Sequence, residues 1–198
     1  MQIGGMMYAT DVAFKAAGLG LLSVWFVLDQ RLLARRPHDR ARRCEPRSCR
    51  VLILANSVGL ILALCTAVSF SRGRMPDDDP LAVSGLFCML IGMGIRLSAM
   101  KTLGRFHMTS VSILPDHRLV ERGFYRWIRH PSYLGVIVLL LGLACVLANY
   151  ASLFILLGFV IPAYAYRISR EEKVLIDHFG QVYENYRLRT RRLLPFIY

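Results

Sequence analysis

The apolar residues of this chain come in long blocks rather than in the alternating or one-sided patterns of soluble strands and helices. Three blocks lie at about Val12–Leu33, Val51–Phe70 and Leu81–Met100. Each approaches the roughly 20 residues that an α-helix needs to cross a bilayer, so the pattern predicts three membrane spans. The third span is rich in glycine and other small residues, which predicts close packing against another helix.

A fourth apolar block covers Ser132–Tyr166. At about 35 residues it is too long for a single span of about 20. Asn149 interrupts it near the middle, and we therefore expect a helical hairpin made of Ser132–Leu147 and Ala151–Tyr166. Pro162 lies inside the second arm, where a proline predicts a kink.

The tail of the chain, Arg167–Tyr198, is more polar than the blocks before it. Its apolar positions recur at helical spacing, at Leu175, Phe179, Val182, Tyr183 and Tyr186. This periodicity predicts an amphipathic helix that folds back onto the membrane-proximal core.

The elements together predict an all-α polytopic membrane protein with about five transmembrane helices, the last two a helical hairpin, and a cytosolic C-terminal amphipathic helix. We expect residues 1–101 to form a three-span membrane region. Residues 102–198 form the candidate catalytic region, made of an interfacial loop, the hairpin and the C-terminal helix. Both regions belong to one integral domain.

The formal net charge of +12 reflects arginines that lie between the apolar blocks. Because this distribution follows the positive-inside rule, we expect membrane lipids as partners and no nucleic acid. The segments Ala34–Arg50 and Thr102–His130 are then cytosolic, the N-terminus is outside, and the C-terminus and the candidate site are cytosolic. The chain has no glycine-rich phosphate loop, no serine nucleophile elbow and no Cys/His metal cluster, and we expect no metal.

A polar, basic and aromatic stretch, His117–Tyr133, lies between the third and fourth blocks. Pro131 is placed to begin a helix, and His130 before it is biased away from helical backbone. Gly123 predicts a turn that allows close backbone approach. These features are typical of a small-molecule site at a membrane edge, and also of an interfacial loop with an aromatic and arginine belt.

Arg167 and Glu171 lie four residues apart, directly beyond the last predicted span. This spacing favours an ordinary helical ion pair, which contributes about 0.3–0.5 kcal/mol when it is exposed. At the mouth of a membrane cavity the same pair could instead hold charged groups of a ligand.

Two motifs bracket the predicted hairpin. They are Gly123-x-Tyr125 with Arg129-His130-Pro131-Ser132-Tyr133-x-Gly135, and Arg167-x-x-x-Glu171-Glu172-x-x-Leu175-x-x-x-Phe179-Gly180-x-x-Tyr183-x-x-Tyr186, ending in Leu194-Pro195-Phe196-Ile197. With both motifs at this separation, the chain resembles the isoprenylcysteine carboxyl methyltransferase family of integral membrane methyltransferases. The resemblance is strongest from about Leu103 onward.

The resemblance implies methyl transfer from S-adenosylmethionine, leaving S-adenosylhomocysteine, to the carboxylate of a prenylated cysteine. It implies that the acceptor is a prenylated protein or a lipophilic small molecule. It places the donor pocket at His117, Leu119, Val120, Tyr125, His130, Pro131, Ser132, Tyr133 and Glu171. It implies a catalytic role for Glu171 and Arg167, with Arg167 matching the position that faces the acceptor.

The chemistry of these residues agrees with the implied reaction. Tyr125 and Tyr133 offer aromatic faces to an adenine ring or a sulfonium cation. A helix N-terminus at Pro131 offers N–H groups to the donor's carboxylate, and Glu171 offers an acceptor to its ammonium or ribose hydroxyls. A carboxylate acceptor is already ionised at neutral pH and needs no general base.

Two other classes of protein remain possible from the residues. A membrane reductase similar to the sterol reductases would bind NADPH at a comparable Arg-His-Pro-x-Tyr segment, although its tail fits less well. A non-enzymatic scaffold would use the same polar residues only to anchor helices. Binding of S-adenosylhomocysteine or of a nicotinamide cofactor discriminates among the three.

Overall fold

The computed structural model describes residues 2–34, 42–69, 79–107, 111–113 and 118–193. The elements are α1 Gln2–Ala34, β1 Arg42–Glu45, α2 Pro46–Ser69, α3 Asp79–Leu103, β2 Val111–Ile113, α4 Pro131–Leu147, α5 Tyr150–Phe179 and α6 Gln181–Arg189. Helices therefore make up nearly all of the regular structure in these ranges, as the apolar blocks predicted.

Within the described residues, four helices, α1, α2, α3 and α5, are long and apolar enough to cross a membrane. Helix α4 is apolar but shorter, at 17 residues. The protein is thus an integral membrane protein of packed helices. The four long helices cover four of the five predicted spans, α4 covers the remaining one, and the number of spans stays a prediction.

The predicted hairpin is present, and its turn has a local cause. Ala148 adopts a left-handed conformation, with φ 48°, and ends α4. The Asn149 side chain then accepts a hydrogen bond from the backbone N–H of Ser152 at 3.1 Å, which caps the start of α5. Both Asn149 and Ser152 are fully buried, so the polar interruption in the sequence is a buried cap.

The predicted end of the second arm at Tyr166 is wrong. Helix α5 passes through Pro162 and continues for 30 residues to Phe179, so the first part of the tail belongs to the same helix. Gly180 ends it, with φ 53° and ψ −130°, a conformation that side chains disfavour. The predicted amphipathic tail is therefore a continuation of α5 followed by the short helix α6.

The all-α prediction also missed a small two-stranded ribbon. Strand β1 pairs antiparallel with β2, with Arg42 opposite Ile113 and a register shift before Glu45. The ribbon joins two segments that were both predicted to be cytosolic, so it places them on the same side of the helices.

Glycines allow a close contact between α3 and α4. A Cβ on Gly92 would lie 2.5 Å from the carbonyl oxygen of Gly135, and a Cβ on Gly142 would lie 2.5 Å from that of Gly85. The two helix backbones therefore touch along this seam, as the small residues of the third span predicted. Helix α4 is buried along most of its length as a consequence.

This seam gives a first prediction. Gly92→Ala should lower stability by about 1–3 kcal/mol, because the added methyl group meets backbone atoms that cannot move aside cheaply. The thermal unfolding midpoint in detergent measures the effect.

Gly94→Ala is the matched control on the same helix, since among the described residues nothing lies within 4 Å of a Cβ at that position. Its midpoint should stay unchanged or rise, because alanine favours helix over glycine. Equal losses in the two variants would contradict the close seam.

Candidate active site

The start of α4 forms the centre of the site. Pro131 occupies the first turn, as its position predicted, and His130 before it has φ −123° and ψ 54°, outside the helical region. No side chain caps this helix start. The Tyr133 and Leu134 N–H groups donate to the His130 carbonyl at 3.1 Å, and Pro131 has no N–H. The N–H of Ser132 is therefore the one left without a partner among the described residues, in a buried position.

Tyr133, one turn into α4, links the two residues of the predicted ion pair. Its hydroxyl donates to Glu171 Oε2 at 2.5 Å and accepts from Arg167 Nε at 3.1 Å. Arg167 Nε and Glu171 Oε2 lie 3.9 Å apart. The pair is thus not an exposed helical ion pair, because the Arg167 side chain is only 2% exposed and also donates to Ser48 Oγ at 2.8 Å.

Aromatic rings flank this cluster. The His130 and Tyr133 rings stack with centroids 5.5 Å apart and an interplanar angle of 9°. Tyr164 meets Tyr133 edge-on at 5.3 Å. The ring orientations of His130 and Tyr133 are therefore fixed by the fold before any ligand binds.

Glu172, the neighbour of Glu171, organises a second charged cluster. Its carboxylate accepts from Arg129 Nε at 2.7 Å and from Arg192 Nε at 3.1 Å, and His130 Nε2 lies 3.4 Å from Oε1. The Glu172 side chain is 4% exposed. It therefore ties together α5, the residues before α4 and the segment after α6.

We call residues 190–192, which follow α6, the C-terminal strap. The strap runs alongside the residues before α4, and Ile128 and Arg191 form a parallel bridge. Backbone N–H groups of Arg129 and His130 donate to the carbonyls of Arg191 and Arg192, at 2.7 Å and 3.0 Å. Together with the Glu172 cluster, these bonds hold His130 in place.

Other residues predicted to bind the methyl donor lie in the loop before the segment that pairs with the strap. Gly123 has the expected left-handed turn, with φ 62°, and Leu119 and Val120 are half-buried just before it. Tyr125 is buried, and its carbonyl accepts from the Tyr186 hydroxyl at 2.7 Å. Burial, and secondly the Glu171 carboxylate, raise the pKa of Tyr125, so this phenol stays protonated at neutral pH.

Part of the predicted site lies beyond what the structure shows. His117 and the closing motif Leu194–Ile197 fall outside the described residues. Arg167 is described, but it is not among the residues that line the cavity below, and its predicted contact with the acceptor stays a prediction.

A cavity of about 300 Å³ lies between α1, α2, α3, α4 and α5. Most of its wall is apolar, formed by side chains such as Leu22, Phe26, Leu60 and Leu140. Its polar wall includes Asp29, Asn56, Arg96, Tyr133 and Tyr164. Because Tyr133 also belongs to the Arg167–Glu171 cluster, the cavity and the start of α4 share a wall.

Asp29 and Arg96 form a buried ion pair in this polar wall. Arg96 Nε and Nη2 donate to the two Asp29 oxygens at 2.8 Å and 3.1 Å, and Nη1 donates to Ser132 Oγ at 2.7 Å. The pair connects α1 and α3 to the start of α4. Charged residues within membrane helices are expensive unless they are paired or functional.

Sequence reasoning missed four of these residues as members of the site. Asp29 and Arg96 lie near the ends of the first and third predicted spans and had no assigned role in the site. Arg129 and Glu172 stood in the motifs without an assigned role. Adjacent positions on an α-helix point about 100° apart. The two adjacent glutamates therefore indicated two clusters, because the side chains of Glu171 and Glu172 point in different directions from the helix.

The fold and the site together define a helical integral membrane protein with a polar site at the start of a buried helix. The model of the isoprenylcysteine carboxyl methyltransferase family matches residues 85–177. A probable protein-S-isoprenylcysteine O-methyltransferase of Oryza sativa is 34% identical over 147 residues, which cover 73% of this chain and 76% of the relative. The chain therefore belongs to this family.

Other relatives are longer. The protein-S-isoprenylcysteine O-methyltransferase of Schizosaccharomyces pombe is 34% identical over 116 residues, 58% of this chain and 49% of that protein. A solved structure of the eukaryotic intramembrane Ras methyltransferase of the family aligns with a TM-score of 0.57 and 26% identity, over 73% of this chain and 52% of its own. The chain thus spans about half the length of these two proteins.

The Glu172 cluster gives a second prediction. Glu172→Gln leaves Arg129 without a carboxylate in a buried environment, and breaking such a pair costs about 3–5 kcal/mol. The variant should unfold at a clearly lower temperature in detergent and should lose binding of ligands at the start of α4.

Glu184→Gln is the control, because Glu184 pairs with Arg187 at 3.0 Å while its side chain is 41% exposed. Such a pair contributes only about 0.3–0.5 kcal/mol, so this variant should behave like the wild type. If the two variants lost stability equally, the proposed importance of the Glu172 cluster would be refuted.

Proposed function

We propose that this protein transfers a methyl group from S-adenosylmethionine to the carboxylate of a lipid-linked acceptor, such as a prenylated cysteine, within the membrane. The observation that carries the proposal is the Tyr133–Arg167–Glu171 cluster beside an uncapped helix start, in a member of this family. An apolar cavity shares the Tyr133 wall and suits the acceptor's lipid chain.

The residues at the start of α4 suit the donor's charged groups. Glu171 Oε2 is engaged by Tyr133, while Oε1 has no partner within the described ranges and suits an ammonium group or ribose hydroxyls. The side chain is 27% exposed, so a ligand can reach it. The Ser132 N–H, for which the described residues offer no partner, suits a carboxylate, because it lies at the positive end of the helix dipole.

An orphaned polar atom supports the same fit. The Tyr183 hydroxyl is buried and has no hydrogen-bond partner among the described residues. Burial, with the Glu172 and Glu171 carboxylates nearby, raises the pKa of Tyr183, so the hydroxyl remains a donor at neutral pH. A buried hydrogen-bond donor without a partner costs free energy. A bound S-adenosylmethionine molecule that accepted a hydrogen bond from it would relieve that cost.

When bound, S-adenosylmethionine supplies an activated methyl group on a sulfonium. The chain's own task is to hold donor and acceptor in line and to keep water out. Tyr133 is fixed by Arg167, by Glu171 and by the His130 ring, which keeps the wall between the two binding regions rigid. Arg167 adds a positive charge behind this wall, which favours a negatively charged acceptor.

No residue needs to act as a general base in this proposal. A carboxylic acid with an ordinary pKa near 3.5 is ionised at neutral pH and attacks without losing a proton. The rigid hydrogen bonds of Glu171 and Glu172 to cations and Tyr133 suit positioning rather than proton transfer.

We also propose that the strap and the start of α4 face the cytosol and that the N-terminus lies outside. The arginines between the helices support this orientation through the positive-inside rule. The β1–β2 ribbon supports it by joining the two arginine-containing segments on one side.

Binding of S-adenosylhomocysteine tests the donor site. Calorimetry on detergent-purified protein should show saturable binding that weakens at least about tenfold in His130→Ala and in Glu171→Ala, since a charge-assisted hydrogen bond contributes about 1.5–3 kcal/mol. Glu184→Ala removes an exposed carboxylate on α6 and should bind like the wild type. Saturable binding of NADPH instead of S-adenosylhomocysteine would contradict the proposed methyltransferase function. Folded protein that binds neither cofactor would contradict it as well.

Cysteine labelling tests the orientation. In a variant without native cysteines, Arg122→Cys and Leu188→Cys should react with a membrane-impermeant reagent only after cells are opened. Tyr150→Cys, at the hairpin turn, should react in intact cells. Both positions are accessible, because Leu188 is 82% exposed and Tyr150 is 48% exposed. Labelling of Arg122→Cys in intact cells would show the opposite orientation.

A further inference from the structure

Polar side-chain contacts connect α2 to α5 along much of the length of both helices. Ser48 Oγ accepts from Arg167 Nη1 at 2.8 Å, the Asn56 amide donates to the Tyr164 hydroxyl at 3.3 Å, and the Thr66 and Ser152 hydroxyls lie 3.0 Å apart. Residue numbers rise along α2 as they fall along α5, so the two helices run antiparallel. We call these contacts the α2–α5 ladder.

Ser48 is the member of the ladder that reaches the Tyr133–Arg167–Glu171 cluster. It lies in the first turn of α2 and is fully buried. Its partner Arg167 is 2% exposed and donates from Nε to the Tyr133 hydroxyl at 3.1 Å. Arg167 thus connects Ser48 to Tyr133, although Ser48 precedes residues 85–177, which the family model matches.

The two hydrogen bonds of Arg167 fix its guanidinium. This group is planar, and its N–H donors have fixed directions within the plane. The bonds from Nε to Tyr133 and from Nη1 to Ser48 therefore restrict both where the plane lies and how far it can rotate. Removing the Ser48 hydroxyl deprives a buried N–H of an acceptor, which favours reorientation of the whole group.

The effect of such a reorientation would reach Tyr133, because its hydroxyl is held on both sides. This hydroxyl accepts from Arg167 and donates to Glu171 at 2.5 Å. Tyr133 also lines the cavity, so it stands between the cavity and the proposed donor site. Methyl transfer depends on alignment, and a displacement of about 1 Å can lower a rate about a hundredfold. A loosened Arg167 would therefore slow the reaction while the groups proposed to bind the donor stay in place.

We propose that Ser48 is a positioning residue for methyl transfer, which holds Arg167 against Tyr133 and so makes α2 part of the active site. The inference rests on the proposed function, since it concerns the alignment of donor and acceptor in that reaction.

The first test measures methyl transfer from S-adenosylmethionine to N-acetyl-S-farnesylcysteine, a small prenylated cysteine, by protein in lipid nanodiscs. Ser48→Ala should lower kcat by about tenfold to a hundredfold, because the alignment is lost. Its KM for S-adenosylmethionine and its affinity for S-adenosylhomocysteine should stay within about threefold of the wild-type values. Ser48→Thr keeps the hydroxyl and should restore most of kcat.

Thr66→Val is the matched control, because it also removes a hydroxyl contact between α2 and α5. Ser152, the partner of Thr66, lies about 22 Å from Arg167 along α5, at 1.5 Å per residue. Thr66→Val and Ser48→Ala should lower the thermal unfolding midpoint to a similar extent. Only Ser48→Ala should change the reaction, and Thr66→Val should keep kcat within about twofold of the wild type.

A second test follows Arg167 directly and needs no acceptor. In protein made with isotopically labelled arginine, nuclear magnetic resonance detects the Nε–H of Arg167, and Arg167→Lys identifies its signal. Exchange of this proton with water should be at least about tenfold faster in Ser48→Ala, and unchanged in Thr66→Val and Ser48→Thr. If Ser48→Ala does not fold, Ser48→Cys provides the same comparison, because a thiol is a weak acceptor.

The inference is overturned if Ser48→Ala keeps the wild-type kcat, if it leaves the exchange rate of Arg167 unchanged, or if Thr66→Val lowers kcat as much. It is also overturned if Ser48→Ala loses S-adenosylhomocysteine, because Ser48 would then support donor binding rather than alignment. Wild-type protein that binds no S-adenosylhomocysteine would instead reject the proposed function, while the exchange measurement would still decide whether Ser48 holds Arg167.

Discussion

The contact between α3 and α4 is the constraint on which the rest of the site depends. Glycine allows the two backbones to touch, and a Cβ on Gly135 would lie 2.7 Å from the backbone nitrogen of Arg96. Arg96 is therefore held against α4, near enough for its side chain to reach both Ser132 and Asp29. A wider helix pair would separate the cavity from the start of α4, so the close packing of α3 and α4 positions the two beside each other.

Two buried charge clusters lie on either side of Tyr133, and in each a carboxylate pairs with arginine. Asp29 balances Arg96 on the side of the cavity, and Glu172 balances Arg129 on the side of the strap. Because a buried unpaired charge is costly, each cluster fixes the relative positions of the helices that supply its members. Tyr133 lies between them with its hydroxyl bound on both sides, which gives the site a rigid centre before any ligand arrives.

The sequence predicted the features that depend on local pattern. Long apolar blocks identified the spans, Asn149 marked the hairpin turn, and Pro131 marked the start of α4, because each reflects a rule that acts within a few residues. The continuation of α5 past Tyr166 was missed because polarity changes there while helix propensity does not. The Asp29–Arg96 pair and the β1–β2 ribbon could not be predicted from local pattern, since each joins residues far apart in the chain through the packing of the whole fold.

The C-terminal strap has a consequence for how the protein is made. Arg129 and His130 donate backbone hydrogen bonds to the carbonyls of Arg191 and Arg192, and Glu172 also contacts Arg192. The strap residues leave the ribosome after every helix of the bundle has been synthesised. The helices can therefore insert before the strap is available, and the strap contacts with the residues before α4 form only afterwards. The contacts that hold the residues before α4 are thus among the last of the described contacts to become possible as the chain is made.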